Sequence, residues 1–259
     1  MRIALGIEYD GSDFCGWQCQ KEGRTVQGEV EAALSKVADE PVSVVCAGRT
    51  DTGVHATGQV IHFDTDVVRT IRSWMLGANA NLPADVSVIW VQTISDDFHA
   101  RFAARARSYR YVILNQMVRP ALFRKRVCWI HQELSHEPMM EAAQTLLGEN
   151  DYSAFRSSAC QSKTAIRNIH CIEVARQGEF VIIDITANAF LHHMVRNLAG
   201  VLIAIGREEQ SIAWPRQLLA ARDRSISAPT APAAGLYLVG VRYPDEFEIP
   251  RDYYRPQFA

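Results

Sequence analysis

The sequence predicts an α+β protein built from two ferredoxin-like halves, residues 1–104 and residues 105–259, whose strands form a largely antiparallel sheet with a central cleft. Segments in which apolar residues alternate, as in strands, are interspersed with segments in which apolar residues recur every three to four positions, as in helices. The order β-α-β-β-α-β occurs once in each half, and this is the order of the split βαβ motif.

The first half begins with an alternating segment, residues 2–10, which predicts a strand. Thr25 precedes an apolar stripe over residues 26–37, so its hydroxyl group is expected to cap a helix. A short apolar run, residues 42–46, predicts the next strand. The remaining elements predicted in this half are a strand over residues 60–64, a helix over residues 67–80 and a strand over residues 86–92.

The second half repeats this order and adds a short helix near its end. Gly148 and Gly206 follow helical stripes and are expected to end two helices, because glycine adopts the left-handed conformation readily. Gly178 predicts a turn between two strands, and Pro215 fits the first turn of the additional helix. The predicted elements are strand 107–114, helix 138–147, strands 166–175 and 180–187, helices 190–205 and 214–222, and strand 235–243.

The composition narrows the possible classes of protein. The chain has 259 residues, of which 48% are hydrophobic, and a formal net charge of −2. The six cysteines include no Cys-x-x-Cys pair, which predicts reduced thiols and no metal site. Glu8 and Asp10 argue against a secretory signal, and the longest apolar stretch, residues 198–205, is too short to span a bilayer. We therefore expect a cytoplasmic protein with no membrane association.

Basic residues are concentrated in two windows that contain no acidic residue. Such windows are expected on a face that binds nucleic acid or polyphosphate, because the usual intramolecular partners of the cations are absent. The alternative is ordinary solvated surface. The windows are residues 101–126, with Arg101, Arg105, Arg107, Arg110, Arg119, Arg124, Lys125 and Arg126, and residues 152–172, with Arg156, Lys163 and Arg167.

A single acidic side chain stands out as a candidate reacting group. Asp51 lies between Gly48 and Gly53, which permit tight turns, and two residues after Arg49, whose guanidinium suits phosphate or a carboxylate. A carboxylate on a rigid turn beside a cation can act as a nucleophile or a base. The alternative is an ordinary surface turn, since Gly, Thr and Asp all favour turns.

Arg196 and a pair of tyrosines are further candidates. Arg196 falls on a strongly apolar predicted helix, and a buried arginine requires a partner; this partner is either the site carboxylate or a structural acid such as Asp184. Tyr109 and Tyr111 share one strand face within a basic stretch. Either could stack on a base or accept a proton, and either could simply belong to the core.

Several other chemistries are disfavoured. The triplet Asp51-Thr52-Gly53 is also that of aspartic proteases, but those enzymes need two carboxylates that share a proton, and the triplet occurs once. The sequence contains no phosphate-binding loop of the Walker type, no Gly-x-Gly-x-x-Gly fingerprint and no Gly-x-Ser-x-Gly elbow. Nucleotide-cofactor and serine-hydrolase interpretations are therefore weak.

Short blocks along nearly the whole chain resemble those of the TruA family of tRNA pseudouridine synthases. Thr52 is a departure, because the family usually has Ala at that position, and one small residue replaces another. The blocks are Tyr9-Asp10-Gly11, Gly16-Trp17-Gln18, Arg24-Thr25-Val26-Gln27, Ala47-Gly48-Arg49-Thr50-Asp51-Thr52-Gly53-Val54-His55, Asn79-Ala80-Asn81-Leu82-Pro83, Phe98-His99-Ala100-Arg101-Phe102, Tyr109-Arg110-Tyr111, Phe190-Leu191-His192-His193-Met194-Val195-Arg196 and Gly235-Leu236-Tyr237-Leu238.

The resemblance implies a cofactor-independent isomerase that converts uridine to pseudouridine at positions 38, 39 and 40 of the tRNA anticodon stem-loop, and that acts as a homodimer. It implies that Asp51 is the nucleophile or base, that Tyr109 stacks on the flipped base and assists removal of the C5 proton, and that Arg196 pairs with Asp51. Arg49 and Leu236 would contact the substrate. Arg101 and Lys163, from the two basic windows, are further candidates for RNA contacts. The alternative function is a non-catalytic RNA-binding protein with tandem RRM-like halves.

Overall fold

A computed structural model describes residues 1–250 and residue 256. The chain divides into two compact units, one comprising Met1–Arg105 with a segment that begins at Tyr237, the other comprising Ala106–Leu236. The described residues form ten strands and five α-helices. In chain order these are β1 (Arg2–Tyr9), α1 (Val26–Ala38), β2 (Val45–Cys46), β3 (His55–Asp64), α2 (Ile71–Asn81), β4 (Val86–Ile94), β5 (Ala106–Asn115), β6 (Cys128–Ile130), α3 (His136–Gln144), β7 (Gly148–Asp151), β8 (Ile166–Gln177), β9 (Phe180–Ala187), α4 (Met194–Gly206), α5 (Trp214–Ala221) and β10 (Leu236–Arg242).

The first unit contains strands in the order β4-β1-β3-β10, with β2 also paired to β3. Strand β1 is antiparallel to both β3 and β4, whereas β10, from the end of the chain, runs parallel to β3. The helices α1 and α2 pack on each other, and α2 packs on β4. Thr25 caps α1 as predicted, because its hydroxyl oxygen accepts a hydrogen bond from the Gly28 amide at 3.3 Å.

The second unit contains strands in the order β5-β9-β8-β7, with β6 parallel to β5. The pairs β5–β9, β9–β8 and β8–β7 are all antiparallel. Helix α3 packs on α4 and on β8. The predicted α+β class with largely antiparallel pairing is therefore confirmed.

Element boundaries differ from the predictions where local pattern and burial disagree. Strand β3 begins at His55, five residues earlier than predicted, because its first half buries the polar side chains of Thr57 and Gln59 and so lacks an apolar alternation. Strands β6 and β7 were not predicted, since three or four residues are too few to show a period. Helix α4 begins at Met194, not at residue 190, after His193 adopts a φ of 62°.

No helix in residues 1–250 is both long and apolar enough to cross a membrane.

Candidate active site

Asp51 lies on the loop of residues 47–54, which connects β2 to β3 in the first unit. The loop ends in a turn, in which the Val54 amide donates a hydrogen bond to the Asp51 carbonyl oxygen at 3.1 Å. Gly53 has a φ of 77° in this turn, a conformation that favours glycine. The Asp51 side chain is half-buried. The carboxylate is therefore carried on an ordered turn and retains access to solvent.

Buried residues elsewhere in the first unit form hydrogen bonds with residues of this loop. The Tyr9 and Thr50 hydroxyl groups lie 2.7 Å apart. Gln59, which is fully buried on β3, donates from Nε2 to the Gly48 carbonyl oxygen at 2.6 Å. The Trp17 amide donates to the Thr50 carbonyl oxygen at 3.0 Å. Satisfied polar groups in a buried setting favour one arrangement of the backbone, so the loop is ordered before any substrate binds.

His55 follows the loop and was not among the predicted site residues. It is buried, its ring stacks on that of Tyr237 at a centroid distance of 4.6 Å, and its Nδ1 lies 3.1 Å from both the Gly11 amide nitrogen and Asp10 Oδ1. Nδ1 can accept from the amide or, when protonated, donate to the carboxylate. The hydrogen bond to His55, and then those from Ser12, hold the pKa of the Asp10 carboxyl well below its usual range.

Two of the predicted RNA-contacting arginines lie on the first unit. Arg49 and Arg101 are both exposed. Burial raises the pKa of the Cys46 thiol to about 11, and the positive charges of both arginines oppose that rise. Cys46 is the residue that precedes the loop, so the two guanidinium groups place positive charge beside the base of the Asp51 loop.

The two basic windows differ in how much of their charge reaches the surface. In residues 101–126, Arg101, Arg105, Arg119, Arg124, Lys125 and Arg126 are exposed. Of the three lysine and arginine side chains in residues 152–172, only that of Lys163 is exposed. Arg156 and Arg167 instead bond the carbonyl or hydroxyl oxygens of their own loop, including those of Ser162. The second window therefore presents one exposed cation, that of Lys163. The other two cations, Arg156 and Arg167, form hydrogen bonds within the segment that carries Lys163.

The two candidate tyrosines lie on β5 of the second unit in different surroundings. Tyr109 is 9% exposed and meets the ring of Phe190 edge to face at 5.0 Å. Tyr111 is fully buried and donates from its hydroxyl group to the Pro232 carbonyl oxygen at 2.8 Å. Burial raises the pKa of Tyr111 well above its usual range. Tyr109 therefore retains some exposed surface, whereas Tyr111 packs entirely within the core.

Arg196 lies in the first turn of α4 and is tied to the segment after α5. Its Nε donates to the Ala231 carbonyl oxygen at 2.8 Å, and its own carbonyl oxygen accepts from the Ala231 amide at 3.2 Å. Asp184, the structural acid considered as an alternative partner, forms a bidentate salt bridge with Arg110, its neighbour across strands β5 and β9, at 2.7 and 2.8 Å. The cross-strand register accounts for that pair.

Leu236 and Lys163 complete the predicted set in the second unit. Leu236 is buried at the start of β10, directly after a 3₁₀ turn over Ala233–Gly235. The first unit thus contains Asp51, Arg49 and Arg101, and the second contains Tyr109, Arg196, Lys163 and Leu236. A carboxylate can attack an electrophilic carbon or remove a proton, a guanidinium can bind an oxyanion, and an aromatic ring can stack on a base.

Comparison with known proteins places the chain in a family. Residues 6–103 and 142–244 match the family model described as tRNA pseudouridine synthase. Three similar proteins are each named tRNA pseudouridine synthase A. That of Nitrosococcus oceani is 57% identical over 97% of both chains. That of Salmonella paratyphi B is 56% identical over 99% of this chain and 95% of the relative. That of Actinobacillus pleuropneumoniae serotype 3 is 55% identical over 100% of this chain and 98% of the relative. The resemblance found in the sequence blocks is confirmed, and the chain belongs to the tRNA pseudouridine synthase family.

Proposed function

We propose that this isomerase converts uridine to pseudouridine at positions 38, 39 and 40 of the tRNA anticodon stem-loop, as a cytoplasmic homodimer that needs no cofactor. The observation that carries the proposal is the ordered loop of residues 47–54, which presents the half-buried carboxylate of Asp51 and, two residues earlier, the exposed guanidinium of Arg49. The region that matches the family model, residues 6–103, includes the whole loop.

The reaction breaks the bond between N1 of uracil and C1′ of the ribose and forms a bond between C5 and C1′. C5 loses a proton and N1 gains one, so the product is an isomer of the substrate. Asp51 acts at the sugar, either as a nucleophile at C1′ or as a base that removes a sugar proton. No external oxidant, reductant or leaving group is required.

The other candidate residues bind and orient the nucleoside. The ring of Tyr109 stacks on the flipped uracil, and its hydroxyl group assists removal of the C5 proton. Arg196 pairs with Asp51, while the Ala231 carbonyl oxygen fixes the direction of the Arg196 side chain. Leu236 lines the pocket with an apolar surface.

Contacts to the RNA backbone offset the cost of extracting the base. Flipping a nucleotide out of a stem costs a few kcal/mol. Arg49, Arg101, Lys163 and the exposed cations of residues 101–126 supply positive charge for phosphates. We therefore expect affinity for tRNA to fall steeply as salt concentration rises.

Release of tritium from C5 of uridine tests the activity directly. Anticodon stem-loops with a single [5-³H]uridine at position 38, 39 or 40 should each release label to water. Asp51→Asn keeps the shape of the side chain and removes its charge, so we expect release to be abolished while RNA affinity stays within a few-fold. Normal turnover in this variant would contradict the assignment of Asp51.

The choice between the two tyrosines is tested in the same assay. Tyr109→Phe keeps the ring and removes the hydroxyl group, so binding should persist while the rate of release falls. Tyr111→Phe should instead lower the free energy of unfolding, because it leaves the Pro232 carbonyl oxygen without this bond. If a folded Tyr111→Phe protein loses turnover and Tyr109→Phe does not, the assignment of the tyrosine is wrong.

The alternatives give different results. A non-catalytic RNA-binding protein with tandem RRM-like halves would bind the stem-loop and release no label. An aspartic protease would cleave a peptide at acid pH and release no label. Sedimentation of the full chain tests the homodimer, and a single species with the mass of the 29.0 kDa monomer would contradict it.

A further inference from the structure

An exposed aromatic ring lies on the first unit, in the segment that follows β4. Phe102 is 75% exposed, its ring lies on that of His99 at a centroid distance of 4.3 Å with an interplanar angle of 31°, and the Arg101 guanidinium is 5.5 Å from the Phe102 ring centroid. We refer to His99, Arg101 and Phe102 as the Phe102 platform. A large ring this exposed, with a guanidinium over it, is not a core residue, and it differs from an isolated solvated cation.

The platform is rigid because its backbone is anchored. His99 Nδ1 accepts hydrogen bonds from the amides of both Arg101 and Phe102 at 3.2 Å. Between them, the Ala100 amide donates to Nδ1 of the buried His62 at 3.1 Å, and the Ala100 carbonyl oxygen accepts from the Tyr243 hydroxyl group at 2.6 Å. An exposed ring on an anchored turn loses little conformational freedom when a ligand stacks on it.

The platform lies beside the origin of the Asp51 loop. Strand β2 pairs with β3 so that Val45 is opposite His62 and Cys46 is opposite Ile61, and the His62 ring meets the His99 ring edge-on at 4.9 Å. The loop starts at the residue after Cys46. His62, which contacts the platform, is therefore adjacent on β3 to Ile61, which lies opposite the residue that precedes the loop.

The charge around the platform indicates which ligand it takes. Arg101 is exposed over the ring, Arg105 is exposed three residues after Phe102, and residues 98–126 contain no acidic residue. A protein–protein contact of this kind would favour a broad apolar patch, whereas RNA recognition combines aromatic stacking with cations for the backbone. We propose that the Phe102 platform stacks on an unpaired base of the tRNA, next to the target uridine. This inference rests on the proposed function.

Substitutions at residue 102 separate stacking from simple apolar contact. The RNA probe is the anticodon stem-loop, measured by filter binding over a range of salt concentrations. Phe102→Ala and Phe102→Leu should each weaken binding by roughly 5- to 100-fold, because stacking on an aromatic ring contributes on that scale. Phe102→Trp should bind within a few-fold of the original chain, and its added emission should be quenched when RNA binds.

Two further variants serve as controls. Val68→Ala changes another side chain of the first unit that is also 75% exposed, and it should leave binding unchanged. Arg101→Ala should lower the slope of log affinity against log salt by about 1, whereas Phe102→Ala should leave that slope unaltered. Thermal unfolding of each variant verifies that it is folded.

The outcomes distinguish the platform from the function on which it rests. If the original chain releases tritium but Phe102→Ala binds as Val68→Ala does, the platform is wrong and the function stands. If Phe102→Leu binds as well as Phe102→Trp, the contact is not stacking. If Phe102→Ala changes the sedimentation of the chain, residue 102 contacts a second copy of the chain, not RNA. If the original chain releases no label, the proposed function fails first.

Discussion

The hydroxyl group of Tyr9 on the first strand lies 2.7 Å from the hydroxyl group of Thr50, the residue that precedes Asp51. Both side chains are buried, and the amide of Trp17 bonds the carbonyl oxygen of the same threonine. The position of the candidate catalytic carboxylate is thus determined by side chains and backbone that lie more than thirty residues earlier in the sequence.

Tyr9→Phe tests this connection. Loss of the buried hydroxyl group should lower the free energy of unfolding by about 1–3 kcal/mol, and turnover should fall more than RNA affinity because Asp51 is less well positioned. Urea unfolding and tritium release measure the two effects. The matched control is Tyr152→Phe, which removes another buried hydroxyl group, bonded to the Leu146 carbonyl oxygen in the second unit. An equal fall in turnover for both variants would mean that general destabilisation, not loop geometry, is responsible.

Gly16→Ala tests the close approach between the backbone at Gly16 and the backbone of the Asp51 loop at Thr50. Gly16 has a φ of 87°, and a Cβ atom there would lie 2.7 Å from the Thr50 carbonyl oxygen. Gly148→Ala is the control, because Gly148 has a φ of 84° and no atom within 4 Å of the added Cβ. The control should lose about 1–2 kcal/mol of stability from conformational strain alone, and Gly16→Ala should lose about 1–3 kcal/mol more, together with turnover. Equal losses of stability would show that the backbone contact is unimportant.

Acid should destabilise the protein through His62. Burial lowers the pKa of His62 to about 4, with smaller contributions from Arg2 and His99, while Asp64 opposes them. Between about pH 6.5 and pH 4 the unfolded chain binds a proton that the native His62 does not, so native stability falls as pH falls, by up to about 3 kcal/mol at pH 4. The carboxyl of Asp10, whose pKa is lowered, loses its stabilising effect only at lower pH.

Unfolding in urea at pH 7, 5.5 and 4.5 measures this dependence, and His62→Gln provides the comparison. Protonation of Nδ1 would also break the bond that it accepts from the Ala100 amide. We expect the loss of stability between pH 7 and pH 4.5 to be smaller in His62→Gln than in the original chain. The same loss in both proteins would show that other groups are responsible.

Local patterns predicted the elements whose burial follows a period. Strand β1, the Thr25 cap of α1 and strand β9 were found within one residue of their predicted positions, since each depends on residues adjacent in sequence. The start of β3 was not predictable in this way, because His55, Thr57 and Gln59 are polar and buried. Their burial depends on partners elsewhere in the chain.

In the candidate site, too, features that depend on adjacent residues were predictable from the sequence, and features that depend on distant partners were not. Glycines around Asp51 indicated a turn, and the structure contains one. Its supports, Tyr9 and Gln59, gave no local signal, because a hydrogen bond across strands depends on register. The sequence suggested Asp184 as one possible partner of Arg196. Asp184 instead pairs with Arg110, because the register of β5 and β9 places these two residues opposite each other.

The last prediction concerns the segment that holds Arg196. The Thr230 hydroxyl group donates to Asn197 Oδ1 at 2.7 Å, and Nδ2 of the fully buried Asn197 donates to the Phe155 carbonyl oxygen at 2.8 Å. Thr230 is next to Ala231, whose carbonyl oxygen receives Nε of Arg196. The asparagine thus fixes the carbonyl group that directs the arginine.

Thr230→Val keeps the shape of the side chain and removes its hydroxyl group. Stability should fall by about 1 kcal/mol, and turnover should fall several-fold at unchanged RNA affinity, because Arg196 is directed less well. Thr145→Val is the control, since it removes a hydroxyl group that bonds the Ala142 carbonyl oxygen at the end of α3. If the two variants lose stability equally and only Thr230→Val loses turnover, Thr230 acts through the position of Arg196. Equal turnover in both would leave Thr230 with a purely structural role.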